Sequence, residues 1–371
     1  MPSDPPTLAG RRGLLGESPD SLAAAAVEAG LPRRLGPQVV KWIWDRGVLD
    51  PAAMTDLSKA QRAWLDERFA GPEGTAVADR LATDGTRKLL LAWPERDRRG
   101  EPLATECVMI PADRRRTACI SSQVGCPVGC RFCASGLGFD GNLSVARIVE
   151  QVHRLGRLEG VGRISHVVFM GMGEPLANLA ATTGAIRILN APWGAGISAR
   201  RITVSTVGVP SAIRRFARFE LPVNLALSLH APNDDLRRRI IPWAEFASIA
   251  EILDACGEWF ARSGREITLE YLLLGGFNDR PEHARELASV AKRLRSNVNL
   301  IRWNEVKGMP FDRPATAAVH EFQAILRERG VNTHIRASRG RDIAAACGQL
   351  RHESNPSAAT PLTREGRPSG A

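Results

Sequence analysis

Residues 125–136 read GCPVGCRFCASG and place Cys126, Cys130 and Cys133 in one short glycine-rich loop. This C-x3-C-x2-C spacing lets three thiolates converge on one inorganic centre, and the glycines let the backbone pass close to it. Three cysteine ligands leave one iron of a 4Fe–4S cluster open for a substrate or cofactor. The loop therefore predicts an open iron–sulfur centre. The alternative is a zinc knuckle with Cys119 as fourth ligand. Structural zinc sites are, however, usually built from two pairs of ligands, and the two ligands of each pair lie close together in the sequence.

The overall composition favours a reducing compartment and a polyanionic partner. The 371 residues carry a formal net charge of +10, and arginines cluster at 114–116, 200–201 and 237–239. Such clusters are expected to hold nucleic acid, although arginines on solvated faces would give the same charge without a partner. Five of the seven cysteines lie between 107 and 133, which indicates metal or redox chemistry rather than a disulfide framework.

The sequence shows neither a signal peptide nor an apolar stretch near the ~20 residues of a membrane span. We therefore expect a cytoplasmic protein without membrane association. Local patterns divide the chain into five segments. They are a flexible tail (1–18), a small helical domain (19–72), a hairpin linker around Asp84-Gly85 (73–100), a catalytic domain (101–350) and a disordered Pro/Ser-rich tail (351–371).

The region 101–350 alternates apolar strands with amphipathic helices, which predicts parallel βα units. Six strands are expected, at residues 117–121, 166–170, 201–205, 223–229, 266–273 and 298–303. The fold class is therefore α/β, an incomplete (β/α)6 barrel with a small N-terminal helical domain, and its chemistry should gather where the strands end. The cysteine loop and several polar residues do follow strands. A doubly wound open sheet would give a similar alternation.

Six stretches of the chain resemble one family in order. They read TACISSQVGCPVGCRFCASG, FMGMGEPLANL, RITVSTVGVPSAIRRF, LALSLHAPNDDLRRRIIP, NLIRWNEVKG and RGRDIAAACGQL. An aromatic residue, Phe132, directly precedes the last cysteine of the first stretch, as in radical S-adenosylmethionine (SAM) enzymes. Together the stretches resemble the radical SAM methyltransferases that modify adenine C2 in 23S ribosomal RNA and in transfer RNA. The similarity runs over residues 36–350.

This resemblance implies a mechanism and its residues. Cys126, Cys130 and Cys133 would hold the 4Fe–4S cluster, and two SAM molecules would be used per turnover. Cys347 matches the cysteine that carries a methyl group before a radical is formed on it and adds to adenine. Cys119 matches the cysteine that resolves the resulting protein–RNA tether through a transient disulfide. Glu106 matches the proposed acceptor of the C2 proton. Cys107 and Cys256 match nothing functional and are expected in the core.

The resemblance also implies a SAM site and partners. The matching positions are Gly173, Glu174, Ser205, Ser228, Leu229, His230 and Asn304. The expected partners are 23S rRNA, tRNA and a one-electron reductant such as flavodoxin or ferredoxin, and we expect a monomer. Two other functions stay open at this point. One is methylation of C8 of the same rRNA adenine, for which the cysteines are the same, and the other is a non-catalytic zinc protein that binds nucleic acid.

Overall fold

The computed structural model describes residues 11–350, so the predicted tail 351–371 lies outside the described residues. Three helices build the N-terminal region, α1 (Pro19–Glu28), α2 (Leu35–Lys41) and α3 (Lys59–Arg68). Ser18 and Ser58 cap α1 and α3, and each hydroxyl accepts the backbone N–H three residues on. The region also contains two short strands that pair in parallel, β1 (Arg12–Gly13) and β2 (Phe69–Ala70).

A three-stranded antiparallel unit follows, with β3 (Thr75–Leu81), β4 (Arg87–Arg96) and β5 (Pro102–Ala112). The β3–β4 turn contains Asp84 and Gly85, and Gly85 has a left-handed φ of +81° that favours glycine. Strand β5 continues into the main sheet by pairing with the next strand of the chain. The hairpin is therefore an extension of that sheet.

The later strands are, in chain order, β6 (Arg115–Cys119), β7 (Gln123–Gly125), β8 (Phe139–Asn142), β9 (His166–Phe169), β10 (Ile202–Thr206), β11 (Asn224–Ser228), β12 (Ile267–Leu273), β13 (Ser296–Arg302) and β14 (Thr333–Arg336). Strands β7 and β8 pair with each other on either side of the cysteine loop. The other seven run parallel in one ten-stranded sheet of order β14-β13-β12-β11-β10-β9-β6-β5-β4-β3. Each parallel strand lies beside the next one along the chain, as in an incomplete (β/α) barrel.

Helices connect these parallel strands. They are α4 (Val145–Leu155), α5 (Leu179–Asn190), α6 (Pro210–Phe216), α7 (Asp234–Ile240), α8 (Ile249–Ser263), α9 (Pro281–Ala291) and α10 (Thr316–Glu328). Helix α4 shows why they form, because Ser144 caps it and Ile148, Val149, Val152 and Leu155 bury one face against the sheet. Within residues 11–350, no helix is both long and apolar enough to cross a bilayer.

The predicted architecture is confirmed, with one addition. All six expected strands are present, and a seventh, β14, pairs with β13 at the edge of the sheet. Its four residues, Thr333–Arg336, include a single apolar side chain, Ile335, so no apolar strand pattern stands out in the sequence. This strand leads into residues 337–350, called the C-terminal loop below.

Residues 13–16, near the N-terminal end of the described chain, pack against the barrel. The sequence predicts a flexible tail over residues 1–18, of which the structure describes 11–18. Leu14 and Leu15 are 1% and 3% exposed, because the short helix that they form packs on α4 and α5. Gly13 also approaches α4 closely, since a Cβ there would lie 2.4 Å from the Cβ of Ala146. This contact joins the N-terminal region to the barrel.

Candidate active site

The carboxyl ends of the parallel strands enclose a cavity of about 160 Å³. This is the end at which barrel enzymes place their chemistry, because the strand ends and the loops after them converge there. The cavity is bordered by nine of the residues singled out in the sequence, Cys126, Cys130, Cys133, Gly173, Glu174, Ser205, Ser228, His230 and Cys347. Residues from separate strands and from the C-terminal loop are thus brought to one place.

The cysteine loop is folded tightly by its glycines. Gly125 and Gly129 have left-handed φ angles of +73° and +71°, and a Cβ on Gly125 would lie 2.0 Å from the carbonyl oxygen of Gly138. Backbone hydrogen bonds then fix the loop to two other segments. The N–H of Arg131 donates to Ile240 O at 2.9 Å, and that of Ala134 donates to Gly348 O at 2.8 Å. The loop is therefore held between α7 and the C-terminal loop.

The three thiols are protonated in the absence of a bound metal. Burial raises the pKa of Cys126 to about 12 and raises the pKa values of Cys130 and Cys133 as well. Over residues 11–350, no three His, Cys, Asp or Glu side chains are close enough to hold a single ion. The three thiols instead share the wall of a cavity, which fits a group larger than one ion, and such a group must displace their protons.

Gly173 and Glu174 follow strand β9 and form another part of the wall. A Cβ on Gly173, whose φ is +105°, would lie 2.7 Å from the side chain of Gln123. The Glu174 carboxylate accepts the N–H groups of Leu176 at 3.0 Å and Val207 at 2.7 Å. Burial raises the pKa of Glu174 to about 6, although these hydrogen bonds act in the opposite direction. The result is a fixed, buried carboxyl group facing the thiols.

A row of polar side chains crosses four strands in the barrel interior. The hydroxyls of Ser205 and Ser228 are 3.1 Å apart. Ser228 is paired with Glu270 across β11 and β12, and the amide of Asn299 donates to one oxygen of Glu270 at 3.2 Å. The other oxygen of Glu270 is buried without a hydrogen-bond partner, and burial raises the pKa of this carboxyl. Sequence reasoning missed Glu270, which lies inside an apolar strand pattern.

His230 is held in one orientation. Its backbone has a left-handed φ of +58°, which is unusual for a non-glycine residue. Its Nδ1 accepts the N–H of Leu272 at 3.0 Å, and its ring meets that of Phe132 edge-on at 5.0 Å. Burial lowers the pKa of His230 to about 3. The imidazole is therefore neutral and carries its proton on Nε2.

Two residues from this region are buried away from the cavity. The side chain of Leu229 lies in the hydrophobic core, and its backbone N–H and carbonyl are both hydrogen-bonded within the fold. Arg237 is 1% exposed, and its guanidinium donates to Leu229 O at 3.2 Å and to Val207 O. Burial lowers the pKa of Arg237 to about 10. The expectation that the cluster 237–239 forms a surface is thus wrong for Arg237, because its side chain satisfies buried carbonyls.

A second cavity of about 70 Å³ adjoins the first, and Cys347 borders both. Cys119 and Asn304 line only this second cavity. The Asn304 amide donates to Cys347 O at 3.4 Å and accepts from Arg313 at 3.2 Å. Burial raises the pKa of Cys119 to about 12, and the neighbouring Cys347 adds to the effect. The two cysteines are therefore brought together from opposite ends of the catalytic region.

Arg336 also borders both cavities and was not singled out in the sequence. The proximity of Cys347 raises the pKa of Arg336, with smaller contributions from Glu270 and Cys119 in the same direction. Its guanidinium donates to the sulfur of Met170 at 3.6 Å. Arg336 lies at the end of β14, the strand that the sequence patterns did not reveal.

Glu106 lies on β5 and borders neither cavity. It is 5% exposed, and its carboxylate forms an ion pair with Lys88 at 2.7 Å. Cys107 and Cys256 are both fully buried in the core, as expected.

Comparisons with known proteins agree with this fold. Residues 120–288 match the radical SAM superfamily, and residues 13–70 match the ribosomal RNA large subunit methyltransferase N-terminal domain. A crystal structure of a radical SAM methyltransferase from Sphaerobacter thermophilus superposes with a TM-score of 0.86 at 40% identity, covering 91% of this chain and 99% of that one. The chain therefore has the radical SAM fold and is a radical SAM methyltransferase that acts on RNA.

The curated relatives narrow the family. A probable dual-specificity RNA methyltransferase RlmN from Gloeobacter violaceus is 46% identical over 345 residues, covering 92% of this chain and 95% of the relative. A second protein of the same description, from Rhodopirellula baltica, is 44% identical over 340 residues, covering 91% of this chain and 90% of the relative. The chain belongs to the RlmN family of dual-specificity RNA methyltransferases. Membership implies a 4Fe–4S cluster and SAM, and it overturns the alternative of a non-catalytic zinc protein.

Proposed function

We propose that this protein methylates carbon 2 of adenine in 23S rRNA and in a tRNA anticodon loop. The observation that carries the proposal is the position of Cys347, which borders both the cavity of the three thiols and the cavity of Cys119. Adenine C2 is an electron-poor carbon that does not attack a sulfonium methyl group as an amine would. A methyl group carried on a cysteine between the two cavities could instead be converted to a carbon radical, which adds to such a carbon.

The three thiols fit a 4Fe–4S cluster because they share one wall of a cavity that is larger than a single ion requires. When bound there, the cluster and two SAM molecules per turnover supply the methyl group of Cys347 and the 5'-deoxyadenosyl radical that takes a hydrogen atom from it. In the first cavity, SAM would find a close backbone approach at Gly173, the carboxyl of Glu174, the hydroxyls of Ser205 and Ser228 and the neutral imidazole of His230. Asn304 would offer its amide from the second cavity. Leu229 would act only by placing its neighbours Ser228 and His230, because its own side chain and backbone are already engaged in the fold.

The second cavity would resolve the protein–RNA adduct. After the adduct has lost its C2 proton and returned one electron to the redox centre, the Cys119 thiolate would attack the sulfur of Cys347. The bond from that sulfur to the methylene carbon would break, and the carbon would keep the electron pair and take up a proton to become the methyl group of adenine C2. The resulting Cys119–Cys347 disulfide must later be reopened by a two-electron reduction. Burial stabilises the neutral thiol of Cys119, so its proton must leave before the attack. Glu106, on the strand beside Cys119, would accept the C2 proton of adenine.

The RNA must be held while its adenine is turned out of the stack into the barrel mouth. We assign this role to the helical region 19–72 and to exposed arginines of the clusters 114–116 and 200–201, which would contact phosphates and make binding salt-sensitive. A one-electron protein such as flavodoxin or ferredoxin would serve as reductant, and the chain would act as a monomer.

Mass spectrometry of 23S rRNA and tRNA from a deletion strain tests the proposal. We expect the C2-methyladenine mark to disappear from both RNAs and to return with the intact gene. Retention of the C2 mark with loss of a C8 mark would show the alternative regiochemistry instead. Analysis of anaerobically purified protein should find about four irons per chain, as one 4Fe–4S cluster requires.

A further inference from the structure

Lys88 is a buried cation next to the residues of the proposed reaction. It lies on β4 directly opposite Val108 of β5, and Val108 lies directly opposite Cys119 of β6. Directly opposed residues of antiparallel strands point to the same face of the sheet. Lys88 therefore shares a face with Cys119, and also with Glu106, which is two residues from Val108 on the same strand.

The C-terminal loop covers this face. Val108 and Cys119 belong to one apolar cluster with Ala345 and Leu350. The methyl-carrying position, Cys347, lies between these two loop residues in the sequence. The loop therefore packs on strands β5 and β6 through the apolar side chains of Ala345 and Leu350.

The ammonium of Lys88 links strand β5 to the C-terminal loop. It is 2.7 Å from the Glu106 carboxylate and donates to the carbonyl oxygen of Ala344 at 3.0 Å. Lys88 and Glu106 are 7% and 5% exposed, and a buried cation is tolerated only where its charge and its hydrogen-bond donors are satisfied. Ala344 has a left-handed φ of +51°, which is unfavourable for alanine and needs support from its surroundings.

Two hydrogen bonds also connect the β3–β4 turn to the C-terminal loop. The N–H of Thr83 donates to the Asp342 carboxylate at 2.9 Å, and the N–H of Gly340 donates to the Asp84 carboxylate at 3.0 Å. These bonds fix residues 340–342, whereas the bond from Lys88 is made three residues before Cys347. Lys88 therefore holds the loop on the N-terminal side of Cys347, whereas Asn304 and Ala134 donate to the carbonyls of Cys347 and Gly348.

We propose that Lys88 is a positioning residue, which orients Glu106 and ties the loop that carries Cys347 to the β3–β4 hairpin. The inference rests on the proposed function for the roles of Glu106 and Cys347. Its structural half, that Lys88 holds the loop, is independent of those roles. Loss of the hydrogen bond from Lys88 to Ala344 O should misplace the sulfur of Cys347 relative to both cavities. A displacement of about 1 Å can slow a reaction about 100-fold.

Lys88→Met tests the proposal, because methionine keeps much of the side-chain length but has neither charge nor donor. Hydrogen exchange of the intact chain without RNA should be at least 10-fold faster at amides 344–347 in this variant. Lys88→Arg should restore most of the protection. Lys292→Met, the same change at an exposed site remote from the loop, should leave exchange unaltered. Unchanged exchange at 344–347 in Lys88→Met would overturn the inference.

Lys88→Met leaves the Glu106 carboxylate buried without its ion-pair partner, so the variant could fail to fold. The double variant Lys88→Met/Glu106→Gln removes both charges and should show the same faster exchange. In turnover assays, Lys88→Met should keep its iron content but form methylated RNA about 100-fold more slowly, and Lys88→Arg should regain at least a tenth of the rate. Full turnover by Cys347→Ala would instead refute the proposed function, and the exchange result would still stand.

Discussion

Cys119 and Cys347 border the same cavity of about 70 Å³, although strand β6 carries the first and the C-terminal loop carries the second. Both are free thiols in the structure. Disulfide exchange requires an attacking sulfur within reach of its target and a thiolate form. The shared cavity supports the proposed attack because it brings the two side chains to one place. The thiolate must form during the reaction, because burial raises the pKa of Cys119.

Cys119→Ala should stop the reaction after the RNA has been attached. Alanine cannot attack the sulfur of Cys347, so RNA covalently linked to protein should accumulate. Denaturing gel electrophoresis of purified protein with labelled RNA measures the adduct. Cys107→Ala, which alters a core cysteine one strand away, is the control and should yield no adduct. An adduct-free Cys119→Ala protein with intact turnover would remove Cys119 from the mechanism.

Glu174→Gln should weaken SAM binding without loss of the cluster. The change removes the charge that would attract the SAM ammonium, and a charge-assisted hydrogen bond contributes about 1.5–3 kcal/mol. We expect the dissociation constant to rise roughly 10- to 100-fold, as measured by anaerobic calorimetry with reconstituted protein. Glu220→Gln, a change at an exposed carboxylate, should leave the constant unchanged. Equal affinities for Glu174→Gln and the original protein would contradict the assignment.

His153 should make the apo-protein less stable in acid. Burial lowers the pKa of His153 to about 4, and its Nε2 is 3.1 Å from Ile43 O, which joins α4 to the N-terminal region. Because the unfolded state binds the proton more tightly, this stability is present above pH 6.5 and is lost as the pH falls towards 4. The unfolding free energy should drop by about 1.4 kcal/mol per pH unit in that window.

Denaturant titrations of the original protein and of His153→Gln at pH 7 and pH 4.5 isolate this effect. Glutamine keeps an N–H donor but does not titrate, and other groups titrate equally in both proteins. The variant should therefore lose less stability between the two pH values. Equal losses would mean that His153 is not the group responsible.

Arg237→Met should destabilise the fold rather than weaken RNA binding alone. The substitution removes the guanidinium donor from the carbonyls of Leu229 and Val207. Leu229 O keeps the N–H of Ala231, so the main cost is about 1–3 kcal/mol for the buried carbonyl of Val207. Urea unfolding of the apo-protein should show this loss. Arg239→Met, at an exposed position of the same cluster, should change the free energy of unfolding by less than about 0.5 kcal/mol. Similar effects of the two substitutions would contradict a structural role for Arg237.

The sequence alone determined the barrel class, the six expected parallel strands and the cysteine loop. These features are local, because strand and helix periods repeat over a few residues and the three cysteines lie within eight positions. Residues that follow strands could also be assigned to one face, since parallel strands end at the same edge.

Only the tertiary structure decided which polar residues meet. Glu270, Arg336 and Lys88 lie within or beside strands whose apolar or basic patterns resemble ordinary structural positions. Arg237, conversely, belongs to a basic run but is buried. Strand pairing and loop packing place each of these side chains beside partners distant in the sequence. A local pattern carries no information about such partners, and that is why the sequence could locate the cysteine loop but not the charged side chains that the fold places around it and around Cys347.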